Sequence, residues 1–416
     1  MRINERQIKK EQKKSMSEWK EYKLGDLYDV HNGLSKGRKF FGSGYPFLSF
    51  KTVFNNYFLP PKLSELVQAN EKEQKGYNIK RGDVFVTRTS ETPEELGMSS
   101  VALKDYPFAT YNGFTKRLRP KDMSLVCPEF IGYYLRSPKF RALFYGLASS
   151  MSTRASLVNG DLLGMSVFLP SFETQERIAS LLSSLDDKIS VNKKICENLE
   201  TQAQALFKHW FIDFAPFKNG KFVESELGMI PEGWRVGTLG EIADITMGQS
   251  PSGSSYNENG NGVVFYQGRA EFGYRFPKVR LFTTEPKRFA EPLSTLLSVR
   301  APVGDINVAT EKCCIGRGLA AIKSKSYHSS YILYLLKSLR RRFDVYNGEG
   351  TVFGSINKDT LNGLNIVIPP NSAIREFNDI VQVSDSEILE SHNEDIRLQA
   401  LRDTLLPRLM SGQIKL

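Results

Sequence analysis

The chain has 416 residues, of which 40% are hydrophobic and 25% charged, and its formal net charge is +10. This length allows two or three domains with ordinary hydrophobic cores. No run approaches the roughly 18 apolar residues of a membrane helix, and residues 1–18 lack the apolar stretch of a secretory signal, so a membrane-spanning or secreted protein is not expected. The excess of positive charge favours a polyanionic partner, with nucleic acid before an anionic membrane surface.

Cysteine and histidine positions argue against a metal site. None of the four cysteines forms a CxxC pair, and the four histidines lie far apart in the sequence. We therefore expect no zinc site, and a disulfide framework is not expected in so large a chain. These observations favour a reducing compartment, and we expect a cytoplasmic protein that holds no metal.

One opening motif occurs twice in the chain. The stretch "WKEYKLGDL" begins at Trp19 and "WRVGTLGEI" begins at Trp234, and a glycine follows each, at Gly33 and Gly248. Three further landmarks recur in the same order: a strand that ends in arginine, a short helix and a buried strand stopped by proline. They occupy Gly82–Arg88, Pro128–Ser137 and Leu162–Pro170 in the first copy, and Ser294–Arg300, Ser329–Ser338 and Leu361–Pro369 in the second. The sequence therefore predicts an internal duplication, with Arg88 and Arg300 at equivalent strand ends.

Each copy ends in a long amphipathic segment that starts after a proline, as helices commonly do. Seam positions alternate at spacings of four and three, which is the pattern of a coiled coil. The first seam comprises Ile178, Leu182, Leu185, Ile189, Asn192, Cys196, Leu199, Ala203, Leu206 and Trp210. The second is weaker but has the same phase, and comprises Phe377, Val381, Ser384, Ile388, Ser391, Asp395, Leu398, Arg402, Leu405 and Leu409. Pro407 is expected to stop or kink the second helix.

The two seams are expected to pack against each other, because an amphipathic helix of this length cannot bury its stripe alone. Antiparallel pairing of first with last position places Asn192 opposite Asp395 at the centre. We expect this polar pair to fix the register, as buried asparagines do in coiled coils. About 35 helical residues would form a rod of roughly 50 Å with a globular domain at each end.

The predicted fold class is α+β: two repeated globular domains, each followed by a long helix, with the two helices paired as an antiparallel coiled coil. The stretch between the copies is rich in Gly and Pro and lacks periodicity, which predicts a crossing loop. The predicted segments are a basic N-terminal extension (1–18), a first globular domain (19–170), a central helix (171–214), a linker (215–233), a second globular domain (234–370), and a distal helix with a C-terminal tail (371–416).

Several motifs resemble parts of enzyme sites, but each lacks an essential component. Phe40–Gly44 has the F-x-G-x-G spacing of amino-methyltransferases, but their Pro-Pro-aromatic motif is absent from the sequence. In the P-loop-like stretch Gly248–Ser255, Ser254 occupies the position of the phosphate-binding lysine. Glu285–Lys287 lacks the upstream carboxylate of a nuclease centre. We therefore expect no catalytic residue and no cofactor in this chain.

Basic and amide side chains lie next to glycines on predicted loops. Arginine can bind guanine, and glutamine can bind adenine, through paired hydrogen bonds in the major groove. Glycine-rich loops also let backbone N–H groups approach phosphates. For any single residue, a surface charge or an internal salt bridge is the alternative. The candidate DNA-binding residues are Lys36, Arg38, Lys39, Arg88, Ser90 and Arg154 in the first copy, and Gln267, Arg269 and Arg300 in the second.

Taken together, these motifs resemble the specificity subunit of type I restriction–modification systems. The resemblance rests on the two Trp-x4-Leu-Gly-acid openings, "ETQERIASLLSSLDDKI", "LFKHWFIDFAPF", "PEGW" and the ending "LLPRLMSGQIKL", and it covers nearly the whole chain from Trp19. The second copy departs from it at "IPPNSAIREF", which lacks a pair like Gln175 and Glu176.

The resemblance implies a non-catalytic DNA-binding subunit. Each globular domain would recognise one half of a split DNA site, and the helices would fix the gap between the halves. Two methyltransferase subunits, which bind S-adenosylmethionine, and two restriction subunits, which use ATP and Mg²⁺, would be its partners.

Two other interpretations remain open from the residues alone. A coiled-coil scaffold with incidental positive charge would lack the steep salt dependence that phosphate neutralisation gives to DNA binding. A self-contained methyltransferase or nuclease would need one of the motifs that the sequence lacks.

Overall fold

The computed structural model describes residues 19–416 except 91, 93–94, 150–154, 327 and 348–353. Arg154 therefore lies outside the described residues. The chain divides into two compact units, Met1–Ser190 with Asp395–Leu416 (the first unit) and Val191–Glu394 (the second unit). Each unit contains one globular domain and a part of both long helices. Within the described residues, no helix is both long and apolar enough to cross a membrane.

The first unit is built on an antiparallel four-stranded sheet. Its strands, in spatial order, are Tyr28–Asn32, Thr115–Pro120, Val84–Thr87 and Ser99–Val101. Alternate residues of these strands, including Val84, Val86 and Leu118, are buried in one hydrophobic core with the helix Pro128–Tyr134. A three-stranded sheet lies beside it in the order Glu65–Val67, Phe41–Leu48 and Thr110–Tyr111.

The second unit repeats this plan. Its four-stranded sheet has the spatial order Ala243–Met247, Leu319–Ser324, Thr295–Ser298 and Ile306–Val308. Its other sheet has five strands: Tyr256–Asn257, Leu281–Thr283, Val263–Tyr266, Cys313–Ile315 and Phe289–Ala290. The same strand order in both units confirms the predicted duplication. The shorter helices are Leu24–Leu27, Phe50–Asn55, Glu71–Gly76, Pro138–Ser149, Asn159–Gly164, Leu239–Ile242, Ser329–Ser338, Arg340–Asp344 and Lys358–Asn362.

The repeated Leu-Gly-acid motif forms a single helical turn that is capped by its own acid. The backbone N–H of Lys23 donates to Asp26 Oδ2 at 3.0 Å, and that of Thr238 donates to Glu241 Oε1 at 2.7 Å. The strands before these turns, Lys20–Lys23 and Arg235–Thr238, pair with Ser166–Leu169 and Asn365–Ile368, respectively. The motif therefore joins the start of each globular domain to the strand that leads into its long helix.

The stretch between the copies is more ordered than the sequence predicts. Instead of a plain loop, it forms a hairpin of Phe222–Ser225 with Gly228–Pro231. Phe217 of this stretch and the preceding Phe214 also pack on Trp234, with ring centroids 5.0 Å and 5.3 Å away, respectively. The prediction failed because hairpin pairing depends on cross-strand contacts, whereas the Gly and Pro content of the stretch indicates only turns.

The two long helices are Phe172–Phe211 and Asn371–Met410. Every predicted seam residue is buried or half-buried, as expected for positions that face a partner helix. The sequence predicts that Pro407 stops or kinks the second helix; the helix continues through Pro407 to Met410, so it does not stop there. Leu406, Leu409 and Met410 are buried in the core of the first unit, and this burial stabilises the last turn despite the proline.

Within the second unit the two helices run antiparallel. Asn192 Nδ2 donates to Glu394 Oε2 at 2.7 Å, and the rings of Trp210 and Phe377, a predicted pair, lie 6.3 Å apart. The sequence predicts Asp395, the residue that follows Glu394, as the partner of Asn192. A glutamate can reach the seam from a flanking position because its side chain is longer than that of aspartate.

Within the first unit, Arg402 lies across from the helix segment that contains Leu185. Arg402 Nη1 forms an ion pair with Asp186 Oδ1 at 2.6 Å. Ile178 and Leu182 share a core with Leu406 and Leu409.

Candidate nucleic-acid interface

A glycine marks the same end of both four-stranded sheets. The N–H of Gly33 donates to the carbonyl of Thr115 at 3.1 Å, and that of Gly248 donates to Leu319 at 2.9 Å. A Cβ atom would lie 1.9 Å from the Asn112 carbonyl oxygen at Gly33, and 2.2 Å from the Gly316 oxygen at Gly248. Only glycine fits such close backbone packing. We call these regions the glycine ends of the two sheets.

Strand pairing shows that Arg88 and Arg300 are not equivalent, so this prediction is wrong. Thr87 pairs with Thr115, and Ser298 pairs with Leu319, at the glycine end of each sheet. Arg88 therefore corresponds to Val299, and Arg300 corresponds to Thr89. The sequence comparison aligned the two arginines and introduced an offset of one residue, which exchanges the two faces of a strand.

The basic loop of the first unit divides into one internally paired lysine and two exposed cations. Lys36 forms an ion pair with Glu73 at 2.7 Å, and its side chain is 15% exposed. The hydrogen bond from the Lys36 ammonium to the Glu73 carboxylate is the main reason that the pKa of Glu73 is lowered. Arg38 and Lys39 are exposed on the short turn Arg38–Phe40. Lys36 thus holds the loop in place, whereas Arg38 and Lys39 remain accessible to a ligand.

Among the described residues, two cations at the glycine end of the first unit have no acidic partner. Lys116 is 5% exposed, and its ammonium donates to the carboxamide oxygens of Asn32, at 3.2 Å, and of Asn159. Burial, and secondly the charge of Arg88, lower the pKa of Lys116. The Nε of the half-buried Arg88 is enclosed and has no hydrogen-bond partner among the residues that the structure describes. Among the described residues, no carboxylate lies within 4.0 Å of either cation.

Sequence reasoning missed Lys116, although one signal was present. In the strand Thr115–Pro120, side-chain alternation places Lys116 on the same face as the fully buried Leu118. A lysine at a core position of a strand is uncommon.

Of the other candidates in this unit, Ser90 lies in the short strand Thr89–Ser90, which pairs with Ala155–Ser156.

The second unit brings three predicted residues together in one cleft. The cleft has a volume of about 290 Å³, and its lining includes Gln267, Arg269 and Arg300. Arg269 pairs with Asp305 at 2.8 Å, which leaves it partly neutralised. Gln267 and Arg300 are exposed, and their side chains make no hydrogen bond or ion pair within the described part of the chain. Their hydrogen-bonding groups are therefore free to contact a ligand.

Two glycines position Gln267 in this cleft. A Cβ atom at Gly316 would lie 2.7 Å from the Gln267 carbonyl oxygen, and one at Gly318 would lie 3.1 Å from the same atom. Between these glycines lies Arg317, which is exposed and was missed by sequence reasoning. The signal for it was the stretch "GRG" at the end of a strand.

A buried charge network fixes the second globular domain to both long helices. Arg275 contacts Glu200 of the first helix, and Asp385 of the second helix at 2.6 Å. Burial alone would lower the pKa of Arg275, but Asp385, Tyr334 and Glu200 raise it overall. Burial would also raise the pKa of Glu200, but Arg275 and Lys337 lower it. Both groups are therefore held in their charged forms.

A tyrosine–aspartate contact is repeated in both units. The Tyr133 hydroxyl donates to Asp186 on the first long helix at 2.7 Å, and Tyr334 donates to Asp385 on the second at 3.0 Å. Each globular domain is thus anchored through a phenol to the long helix that follows it.

Comparison with known proteins identifies one family. Residues 16–201 and 231–404 match the model of the type I restriction modification DNA specificity domain. A Methanocaldococcus jannaschii protein assigned as the MjaX specificity subunit of a type I restriction enzyme is 30% identical over 403 residues, covering 96% of this chain and 94% of that protein. The HindI specificity subunit of Haemophilus influenzae is 25% identical over 479 residues, covering 96% and 100%, respectively.

A solved structure shows the same fold. The crystal structure of the type I restriction–modification S subunit from M. genitalium is 17% identical, covers 94% of this chain and 96% of that one, and has a TM-score of 0.58.

Proposed function

The chain belongs to the family of type I restriction–modification DNA specificity subunits, and we propose that each of its two units recognises one half of a split DNA site through the glycine end of its four-stranded sheet. The main support is a repeated backbone that carries different side chains. The hydrogen bonds of Gly33 and Gly248 are equivalent, but the surrounding residues differ in charge and shape. A common frame with different surface groups suits two recognition domains that bind different sequences.

The second unit carries the groups best suited to contact bases. The amide of Gln267 can form paired hydrogen bonds with adenine, and the guanidinium of Arg300 can do so with guanine. Both side chains are exposed in one cleft. In the first unit, the exposed Arg38 and Lys39 would contact phosphates, and such contacts would position the domain on DNA without reading its sequence.

The helix pair would set the length of DNA between the two half-sites. In the second unit, the Arg275 network joins the globular domain to both helices at once. A domain held in this way cannot rotate freely about its own connection. The distance between the two recognition surfaces, and hence the number of unread base pairs, would then follow from the helix register.

We further propose that the chain is itself non-catalytic. It would direct two methyltransferase subunits, which bind S-adenosylmethionine, and two restriction subunits, which use ATP and Mg²⁺, to the DNA site in the cytoplasm. The two-fold similarity of the units would let two identical partners bind in equivalent ways.

Methylation mapping of a domain exchange tests this function. The full chain would be produced with its methyltransferase partners, and residues 19–170 would be replaced by those of a relative. We expect one half of the methylated site to change while the other half and the gap stay the same. A change in both halves would show that the units do not recognise DNA independently.

A further inference from the structure

Arg88 and Lys116 lie near each other at positions where the equivalent sheet of the second unit carries no charged residue. Lys116 lies on a central strand of the four-stranded sheet, where it pairs with Asn32 on one neighbouring strand and with Val86 on the other. The backbone of Arg88 is held on both sides: its N–H donates to Phe114 at 3.0 Å, and its carbonyl accepts from Leu157 at 2.7 Å. Both residues are therefore fixed by the sheet and its adjoining strands at the glycine end.

The second unit fills the equivalent positions with apolar residues. Strand pairing matches Lys116 with Ala320, Asn32 with Met247, and Val86 with Leu297. Arg88 corresponds to Val299, because their N–H groups donate to equivalent carbonyls, those of Phe114 and Gly318. Leu297, Val299 and Ala320 are buried in one hydrophobic core of the second unit, and Met247 packs against this core.

The same strand pairing thus forms in the second unit without cations at these positions, so the pairing itself does not require them. Their burial is also unfavourable by itself. Removing a charge from water is costly unless an opposite charge compensates it. The carboxamides of Asn32 and Asn159 solvate the Lys116 ammonium but carry no charge. A site with two positive charges and, within the described part of the chain, only neutral partners is therefore incomplete without an anion.

We propose that Arg88 and Lys116 form a binding site for a phosphate of the DNA backbone, an assignment that rests on the proposed DNA-binding function. A phosphodiester supplies the missing negative charge, whereas the edge of a base is neutral. The half-buried Arg88 makes the direct contact, and the deeper Lys116 reinforces it through its charge. The exposed Phe114 and the cations Arg38 and Lys39 lie on loops of the same unit.

The two units would therefore differ in function at equivalent positions of their four-stranded sheets. The first unit has a phosphate site where the second has a closed apolar core. The second unit would therefore depend on contacts elsewhere, including Gln267 and Arg300 in its cleft.

The first test exchanges the two cations for the residues of the second unit. The variant Arg88→Val/Lys116→Ala should fold, because the second unit accommodates these side chains. The matched control is Lys104→Ala/Lys121→Ala, which removes the same charge beyond the opposite end of the sheet. The probe is duplex DNA that carries the site found by methylation mapping, bound by the full chain with its methyltransferase partners.

We expect the Arg88→Val/Lys116→Ala variant to bind about tenfold more weakly, and the slope of log affinity against log salt concentration to fall by about one. The control should keep the parental slope. An unchanged slope, or a lower melting temperature with unchanged affinity, would overturn the phosphate site. If the parental complex itself binds without salt dependence, the proposed function fails instead.

The second test neutralises single phosphates. A methylphosphonate would be placed at each position of the first half-site in turn, and affinities would be measured for the parental and exchanged complexes. At one position the methylphosphonate should lower the affinity of the parental complex about tenfold. At the same position it should not lower the affinity of the Arg88→Val/Lys116→Ala complex any further. Losses that add at every position, or loss of discrimination at one base pair with the salt slope intact, would overturn the assignment.

Discussion

Arg275 of the second globular domain forms an ion pair with Glu200 of the first long helix, and both side chains are at most 5% exposed. The same guanidinium binds Asp385 of the second helix at 2.6 Å and the Tyr334 hydroxyl at 2.9 Å. One side chain therefore holds together three parts of the second unit.

Replacing Arg275 with methionine should destabilise the protein strongly. The substitution leaves Glu200 and Asp385 in a buried site without their main counter-charge, which costs about 3 kcal/mol or more. Thermal unfolding of the full chain would measure the loss. The control is Arg177→Met, which removes an exposed ion pair with Glu173 and should cost at most about 1 kcal/mol. Equal effects of the two substitutions would contradict the role of the network.

The same network predicts how stability depends on pH. The folded-state pKa of Glu200 is lowered, so its contribution to stability is present above the pKa of the unfolded chain and is lost as pH falls through the folded value. In the Arg275→Met variant, the pKa of Glu200 should be higher than in the parent, because Arg275 no longer opposes the effect of burial, so acid unfolding should begin at a higher pH. Denaturant unfolding between about pH 3 and 7 would show this shift. Parallel curves would show that Arg275 does not hold the ionised form of Glu200.

The glycine ends should not tolerate a methyl group. Gly33→Ala or Gly248→Ala places Cβ against a backbone carbonyl oxygen, which must move, and we expect a loss of about 2 kcal/mol or more in stability. Methylation should fail first at the half-site that the altered unit recognises. Gly37→Ala is the control, because Cβ there meets open space and the φ of −69° suits alanine. Normal stability and methylation in Gly33→Ala would contradict the close packing seen at Asn112.

Gln267 and Arg300 should determine sequence preference without affecting stability. Alanine at either position should reduce discrimination at one base pair of the second half-site by about 1–3 kcal/mol and leave the melting temperature unchanged. Mapping the methylated sites of each variant complex would identify the base pair. Lys323→Ala, at the far end of the strand Leu319–Ser324, should change neither property. A lower melting temperature with an unchanged site would show that these residues are structural.

The sequence predicted the repeat and the helix seams because apolar periodicity reports burial directly. Ile178, Leu182 and Phe377 are almost fully buried, as their spacing indicates. The equivalence of Arg88 and Arg300 was wrong because similar letters do not define the pairing register of a strand. Hydrogen bonds to the neighbouring strand do, and these join residues far apart in the sequence.

The candidate site was harder to predict than the fold. Lys36 was a candidate as a loop cation, yet it is tied to Glu73, which lies 37 positions further along the chain. Lys116 was missed because its environment is formed by Asn32 and Asn159, from distant parts of the sequence. Neither relationship follows from local composition.

The hydrogen bond between Asn192 and Glu394 is expected to lower the stability of the helix pair while making its register more specific. Asn192 is buried in the helix seam, where a leucine would pack better and raise the melting temperature, as apolar residues do at such positions in coiled coils. The polar pair, however, penalises a shifted pairing, because each unpaired buried polar group costs about 1–3 kcal/mol.

We therefore expect Asn192→Leu/Glu394→Leu to raise the melting temperature and to relax the gap between half-sites. The measurement is methylation of a DNA library in which the gap varies by one or two base pairs around the parental length. Ile195→Leu, a change at a partly exposed position of the same helix, is the control and should leave the gap strict. If the Asn192→Leu/Glu394→Leu complex still methylates only the parental gap, other contacts, such as the Asp186–Arg402 ion pair, fix the register, and the polar pair does not.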